Sequence, residues 1–325
     1  MSRRGRPSGL RPRLAPSVLV VLAAVLVIGA CATTLGRDEL AVEYYNIGSA
    51  YFDLGELEKS ARYLTRALDL SPELARASYN LARVYVLQGR YDRAFELLDT
   101  LLSRDPGNSL VLETIAFAHY LAGDLEEAAY WYDRALDVGP TDLDLLQNRA
   151  TVAQEAGRHD LAVRFLRRAV DLADNRPQLA LSLAESEREL GRNDAAIEAY
   201  RAYLEGVATA EPGALLSYAE VLEAEEYYAA ALDVLDRLVE RDDAKADVRA
   251  RASFVRGRIL LAHAREQESG IEAIRAALRL GYADEEAVSD LLSAVPAETV
   301  PALRAVLIDA DLLHPGAEPT PESDD

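Results

Sequence analysis

The side chains that most often carry catalysis are scattered along this sequence. The histidines stand far apart, at His119, His159, His263 and His314. The chain contains no HExxH zinc motif, no glycine-rich phosphate loop and no GxSxG nucleophile motif. Acidic pairs such as Glu126-Glu127 and Asp242-Asp243 are typical of solvated helix surfaces rather than of catalytic carboxylates. The sequence therefore predicts a protein that is not an enzyme and that needs no metal or cofactor.

The residue with the most distinctive chemistry is the single cysteine, Cys31. It follows a basic segment, residues 1–17, and an uncharged apolar run of 13 residues from Val18 to Ala30. A permanent spanning helix needs about 20 such residues, so this run is short for one. A basic head, a short apolar stretch and small residues at its end are the layout of a secretory signal peptide.

The segment Ile28-Gly29-Ala30-Cys31 resembles the lipobox of bacterial lipoproteins. The resemblance implies cleavage before Cys31, a diacylglyceryl group on its thiol and acylation of the new N-terminus. Two or more acyl chains give stable anchoring in a bilayer. The alternatives are an ordinary signal peptide or a short transmembrane anchor with a chance cysteine. Ala32 suggests the outer rather than the inner membrane of a bacterial envelope, with the protein facing the periplasm.

Composition excludes several other classes of protein. Half of the 325 residues are hydrophobic, so a sizeable core is expected. The formal charge is −20, and removing residues 1–30 with their five arginines leaves −25. A body of that charge is repelled by nucleic acid phosphates, which argues against a nucleic acid partner. A single cysteine excludes intrachain disulfides and cysteine-based zinc clusters.

Small residues recur along the chain at a fixed interval. Five glycines are spaced by 34 residues each time, at Gly55, Gly89, Gly123, Gly157 and Gly191. Tiny residues stand seven positions before and five positions after each of them, as at Gly48 and Ser60. Helices approach closely only where side chains are tiny, so the pattern predicts paired helices joined by a glycine turn.

This frame resembles the tetratricopeptide repeat, most closely in the first three repeats. The first repeat supplies the family residues at Tyr44, Ile47-Gly48, Tyr51, Gly55, Ser60, Ala67 and Pro72. The fourth repeat departs from the pattern, with Arg149 where leucine is usual. The resemblance implies an all-α solenoid of tandem helix-turn-helix pairs, wound as a right-handed superhelix.

The same frame predicts how the chain is divided. A signal peptide at 1–30 and a lipidated tether at 31–40 precede the repeats. Repeats 1 to 5 span 41–211 and two degenerate repeats, 6 and 7, span 212–284, with Glu226 in place of the turn glycine of repeat 6. Repeat 7 fits only if its turn near His263 is one residue longer. Capping helices at 285–313 and a disordered acidic tail at 314–325 complete the chain.

In this family the first helices line a concave groove that binds peptides. The groove positions carried over from the family include Ser49, Arg76, Glu113 and Tyr120. The candidate site selected from these positions is Tyr45, Asn46, Phe52, Tyr79, Asn80, Arg83, Thr114, Phe117 and Asn148. The sixth position of successive units holds amides and hydroxyls, which can hold the backbone of an extended peptide. The alternative is that these polar residues only keep the groove hydrated while the aromatic residues pack between units. An arginine cluster between Arg249 and Arg258 is either a solvated surface or a contact for an anionic partner.

The combined expectation is a membrane-anchored, non-enzymatic adaptor that holds protein segments in an envelope complex. The resemblance leaves open outer-membrane protein assembly, pilus assembly and recruitment of cell-wall enzymes. The alternative function is an accessory ligand-binding subunit of an envelope transporter, which would need a closed and mostly apolar cavity.

Overall fold

The computed structural model describes residues 36–139, 142–173, 176–310 and 312–313. Within these ranges every regular element is helical, which confirms the all-α prediction. They form two compact units, one ending at Pro106 and the other beginning at Gly107. The predicted signal peptide, Cys31, Pro140 and the acidic tail lie outside the described residues.

Unit 1 consists of two helix pairs. Their bounds are α1 Arg37–Asp53, α2 Leu57–Leu70, α3 Ala75–Leu87 and α4 Tyr91–Arg104. Helix α1 begins inside the predicted tether, where the backbone N–H of Gly36 donates to the Glu39 carboxylate at 2.9 Å. Asp38 and Glu39 in the first turn complement the positive end of the helix dipole, which favours a start at this point.

Unit 2 continues the same architecture. Its paired helices are α5 Ser109–Ala122 with α6 Leu125–Val138, α7 Leu143–Glu155 with α8 His159–Leu172, α9 Pro177–Glu189 with α10 Asn193–Gly206, α11 Pro212–Ala224 with α12 Tyr228–Val239, and α13 Ala246–Ile259 with α14 Gln267–Arg279. Two shorter helices follow, α15 Glu285–Ala294 and α16 Val300–Asp309. They pack with Phe254 and Leu261 in one apolar cluster, so the last pair is covered.

The turn after each first helix requires a left-handed residue. The five glycines spaced by 34 residues all have positive φ, between 66° and 86°. In the sixth pair Glu226 takes this conformation with φ 61°, so the turn is kept at a steric cost that glycine does not pay.

The predicted crossing points are places of close backbone approach. A Cβ added to Gly48 would lie 2.7 Å from Cγ of Leu64, and Ser60 Oγ donates to the Gly48 carbonyl at 2.8 Å. In the last pair a Cβ on Gly257 would lie 3.1 Å from the carbonyl oxygen of Gly270. Glycine at these points therefore allows the two helices of a pair to touch.

The longer turn of the seventh pair has a specific form. Leu260–Ala264 forms a π-helical segment that continues α13, and it ends at Arg265 with φ 58°. A π turn accommodates one extra residue within a helix, which accounts for the irregular spacing near His263. In the part of the chain that the structure describes, no helix is long and apolar enough to cross a bilayer.

Candidate functional site

In unit 1 the side chains of α1 and α3 meet in three successive contacts. Arg76 lies over the Tyr45 ring, with its guanidinium carbon 4.5 Å from the ring centroid. The Asn80 amide donates to Ser49 Oγ at 2.9 Å. Arg83 lies 4.5 Å from the Phe52 ring centroid. We call these side chains the unit 1 face; they are Tyr45, Ser49 and Phe52 on α1 and Arg76, Tyr79, Asn80 and Arg83 on α3.

The unit 1 face combines apolar, cationic and amide groups at one surface. Tyr79 adds a second ring beside Arg83, with the guanidinium 5.8 Å from its centroid. The three rings are half-buried, so each keeps part of its surface open to a ligand. Asn46 is exposed on α1 and takes no part in these contacts. Of the six predicted residues in unit 1, five are therefore brought together.

Unit 2 carries a different set of contacts between its first helices. Asn148 on α7 donates to Glu113 on α5 at 3.4 Å, and Tyr120 donates to Glu155. Gln154 reaches Ser186 Oγ on α9 at 2.8 Å. The predicted Phe117 stacks on Tyr120 with ring centroids 6.3 Å apart. We call these side chains the unit 2 face; they are Glu113, Phe117, Tyr120, Asn148, Gln154, Glu155 and Ser186.

Two glutamates on the first helices of unit 2 have raised pKa values. Burial raises the pKa of Glu113, and the charges of Asp142 and Asp144 raise it further, against the hydrogen bond from Asn148. Burial also raises the pKa of Glu185 on α9, with Arg188 opposing the shift. Burial is the largest cause of both shifts, and neighbouring carboxylates add a smaller contribution to each.

The predicted Thr114 is less accessible than Asn46. Its side chain is buried, and its hydroxyl donates to the carbonyl of Leu110 one turn earlier at 2.8 Å. A threonine in mid-helix commonly satisfies its hydroxyl in this way. The hydroxyl oxygen can still accept a hydrogen bond, so contact between a peptide and Thr114 stays a prediction.

Seven residues of these faces stand outside the candidate site that the sequence predicts: Ser49, Arg76, Glu113, Tyr120, Gln154, Glu155 and Ser186. Ser49, Arg76, Glu113 and Tyr120 nevertheless occupy groove positions that the family resemblance implies. A numerical signal identifies some of them. The pairs of unit 1 are separated by 31 residues each time, as in Tyr45 and Arg76 or Ser49 and Asn80. This interval is one helical turn less than the repeat length, because side chains on adjacent first helices meet about one turn out of register.

Of the four arginines in the α13 cluster, Arg251, Arg256 and Arg258 form internal ion pairs, whereas the buried Nε of Arg249 has no hydrogen-bond partner among the described residues. Arg258 forms a two-point contact with Glu223 on α11, with N–O distances of 2.8 and 2.7 Å. Arg251 pairs with Glu220 and Arg256 with Asp236, each on a neighbouring helix. These arginines therefore join α13 to α11 and α12, which argues against an anionic partner at this cluster. Within the described ranges no three His, Cys, Asp or Glu side chains are grouped to hold a metal ion.

The comparison with protein families identifies the repeat. One model of the tetratricopeptide repeat matches residues 45–109 and 148–214, and a second matches residues 86–154. Together they cover residues 45–214, which is more than half of the chain. The chain belongs to the tetratricopeptide repeat family. No curated protein sequence matches it.

Solved structures share this tetratricopeptide repeat fold. PilF of Pseudomonas aeruginosa matches 62% of this chain and 92% of its own, with 23% identity and a TM-score of 0.53. PilW, a type IV pilus biogenesis factor, matches 61% of this chain and 91% of its own, with 19% identity and a TM-score of 0.52. YrrB, a repeat protein with an unusual peptide-binding site, matches 55% and 92%, with 22% identity and a TM-score of 0.50. At these identities the likeness shows the fold alone.

Proposed function

We propose that this tetratricopeptide repeat protein is a lipid-anchored adaptor of the bacterial cell envelope. Its first helices bind extended segments of partner proteins, and a lipidated Cys31 fastens it to the outer membrane, facing the periplasm. The observation that carries the proposal is the unit 1 face, where rings, guanidinium groups and an amide of α1 and α3 lie side by side. Aromatic and arginine side chains are the residues that most often dominate protein interfaces.

The short tether constrains where the partner lies. Arg37, the first residue of α1, is six residues after Cys31. Six residues span at most about 20 Å even when fully extended. A lipid on Cys31 therefore holds unit 1 close to the bilayer, and its partner is a protein that is membrane-bound or works beside the membrane.

Three envelope processes fit an adaptor of this kind: outer-membrane protein assembly, pilus assembly and recruitment of cell-wall enzymes. PilW is a pilus biogenesis factor with the same fold, which supports pilus assembly as one of them. YrrB has a peptide-binding site on the same fold, which supports the binding of peptide segments.

Photo-crosslinking in cells tests the adaptor function. A benzoylphenylalanine placed at Tyr79 should capture one or a few discrete proteins. The matched control is the same probe at Tyr130, which lies on a second helix and is 54% exposed. Discrete products at Tyr79 and not at Tyr130 support the proposal, whereas identical product patterns at both positions would contradict it.

The lipid anchor is tested separately by mass spectrometry. The protein purified from envelopes should start at Cys31 and carry the mass of a diacylglyceryl group and a further acyl chain. Replacing Cys31 with serine should release the protein from the membrane fraction. A wild-type product without acyl mass would contradict the anchoring.

A transporter subunit is the second candidate because unit 2 has a cleft between α10, the following loop, α11 and α12. Its volume is about 570 Å³, and it is lined by Leu204, Tyr218, Val234 and Arg241 among others. Ligand pockets have about this size. However, Arg241 pairs with Asp243 and donates to the Ala210 carbonyl, so its guanidinium is already engaged within the chain. We therefore favour the adaptor.

A further inference from the structure

We propose that the unit 1 face binds an acidic segment of the partner protein, with one side-chain carboxylate at Arg76 and a second at Arg83. The proposal rests on the adaptor function above and adds the chemistry of the partner. Arg76 and Arg83 are the only charged residues of α3, in a chain whose formal charge is −20. A helix that carries only positive charge stands out against that background.

The ring contacts of the two arginines leave hydrogen-bonding groups available. The guanidinium carbon lies over a ring in each case, 4.5 Å from the Tyr45 centroid for Arg76 and 4.5 Å from the Phe52 centroid for Arg83. A guanidinium carries five N–H donors, so an arginine in contact with a ring can still bind a carboxylate through two hydrogen bonds. Within the described residues neither arginine takes part in an ion pair.

The distance between the arginines matches the repeat of an extended peptide. Seven residues of helix separate them, a rise of about 10.5 Å. A polyproline II segment has three residues per turn and advances about 9.3 Å per turn, so side chains three apart point to the same side. A segment with two acidic residues separated by two others therefore presents both carboxylates to the two guanidinium groups.

Asn80 lies between the two arginines and can hold the peptide backbone. One of its amide hydrogens is used by Ser49, at an N–O distance of 2.9 Å. An asparagine side chain has a second N–H and a carbonyl oxygen, which suit the alternating donors and acceptors of a backbone. The face thus offers a cation, an amide and a second cation in sequence along α3.

Net charge repels an acidic segment less at unit 1 than at unit 2. Residues 36–106 contain 9 basic and 12 acidic side chains, a net charge of −3, whereas residues 107–313 contain 21 and 39, a net charge of −18. The unit 2 face itself carries Glu113 and Glu155. Like charges facing each other are unfavourable, so the acidic segment is excluded there.

Two other anionic ligands fit this surface less well. Arginine and aromatic side chains also bind single-stranded nucleic acid, but that binding needs a basic groove that follows a phosphate at every nucleotide, whereas α3 offers two cations. An anionic bilayer would approach as a flat sheet and would meet α1, whose acidic residues include Asp38 and Asp53. A single extended segment avoids both difficulties.

Fluorescence anisotropy with synthetic peptides tests the proposal on the purified full-length protein. The probe is a fluorescent peptide with a Glu-Pro-Pro-Glu core, acetylated and amidated so that its ends carry no charge. The comparison peptides have Gln-Pro-Pro-Gln and Lys-Pro-Pro-Lys cores. We expect the acidic peptide to bind at least about tenfold more tightly than either, with affinity that falls as salt rises.

Matched variants locate the site. Arg76→Gln with Arg83→Gln should weaken binding of the acidic peptide about a hundredfold, as two charge-assisted contacts are lost. Arg62→Gln with Arg93→Gln removes the same charge from exposed positions on α2 and α4, and it should change the affinity less than threefold or so. Arg76→Lys with Arg83→Lys keeps the charge but loses the planar two-point contact, so it should restore only part of the affinity.

Several results would overturn the proposal. One is equal binding of the neutral peptide, or an equal loss in both glutamine double variants. Another is displacement of the acidic peptide by phosphatidylglycerol vesicles or by a single-stranded oligonucleotide, which would assign the face to a bilayer or a nucleic acid. None of these results contradicts the adaptor function if the Tyr79 probe still captures a protein. The peptide measurements and the crosslinking experiment therefore test the two proposals independently.

Discussion

Arg149 on α7 and Asp133 on α6 form a two-point ion pair, with 2.8 Å from Nε to Oδ1 and 3.2 Å from Nη2 to Oδ2. Arg149 is buried, and its guanidinium also lies 5.0 Å from the centroid of the Phe165 ring. The same position of the second repeat holds Leu81, which is also buried. A charged side chain thus fills an apolar position of the repeat and is compensated by one partially exposed carboxylate.

Removing that carboxylate should destabilise the protein. Asp133→Ala leaves the buried guanidinium unpaired, and we expect a loss of about 1–3 kcal/mol in the free energy of unfolding. Arg149→Leu introduces the leucine that is usual at this position of the repeat, and it should lower the free energy of unfolding by less than about 1 kcal/mol. Urea unfolding followed by circular dichroism measures both, with Asp137→Ala at an exposed position of α6 as the control. A larger loss for Arg149→Leu than for Asp133→Ala would contradict this account.

The turn of the sixth repeat should be improved by glycine. Glu226 has φ 61°, and left-handed backbone costs a residue with a Cβ about 1 kcal/mol relative to glycine. Glu226→Gly should therefore raise the free energy of unfolding by about 0.5–1 kcal/mol. Gly191→Ala, at φ 66° in the preceding repeat, should lower it by a similar amount. Thermal denaturation of the two variants would refute the expectation if both moved in the same direction.

The close approach of α13 and α14 should not tolerate even one methyl group. A Cβ on Gly257 would lie 2.7 Å from Cδ1 of Ile274 and 3.1 Å from the Gly270 carbonyl, so the backbone itself would have to move. Gly257→Ala should lower the free energy of unfolding by about 1–3 kcal/mol. Gly213→Ala is the matched control, because a Cβ there meets no atom within 4 Å. Equal denaturation midpoints for the two variants would show that the crossing is loose.

Glu113 should make stability depend on pH. Burial and the charges of Asp142 and Asp144 raise its pKa in the folded state, so folding disfavours the ionised form. The stability from this group is present below the ordinary glutamate pKa and is lost as pH rises through the raised value. Glu113→Gln keeps the acceptor for Asn148 and should raise the melting temperature at pH 7, with the gain vanishing near pH 4.

The control for this pH dependence is Glu127→Gln, at an exposed position on α6. This variant removes the same charge from the chain and should raise the melting temperature at pH 7 by less than Glu113→Gln does. A gain from Glu113→Gln that is equal at pH 7 and pH 4 would show that the effect is not one of titration.

The interval between small residues was sufficient to predict the helix pairs, their turns and their crossing points. The reason is that these features are local. A left-handed turn needs glycine or tolerates strain, as at Gly55 and Glu226. Two touching helices need glycine or alanine at the crossing, as at Gly48 and Ala82. Each requirement acts within one pair of helices, so it restricts the residue type at the same position of every repeat.

The contacts between first helices of different repeats were decided only by the tertiary structure. Position in the repeat selected Asn46, Asn80, Thr114 and Asn148 together, yet Asn80 contacts Ser49, Asn148 contacts Glu113 and Thr114 bonds to its own helix. Which partner a side chain reaches depends on the axial offset between the two helices and on the side-chain rotamer. The type of one residue determines neither. The sequence by itself therefore determined the repeated scaffold, while tertiary packing decided which polar and aromatic groups meet on it.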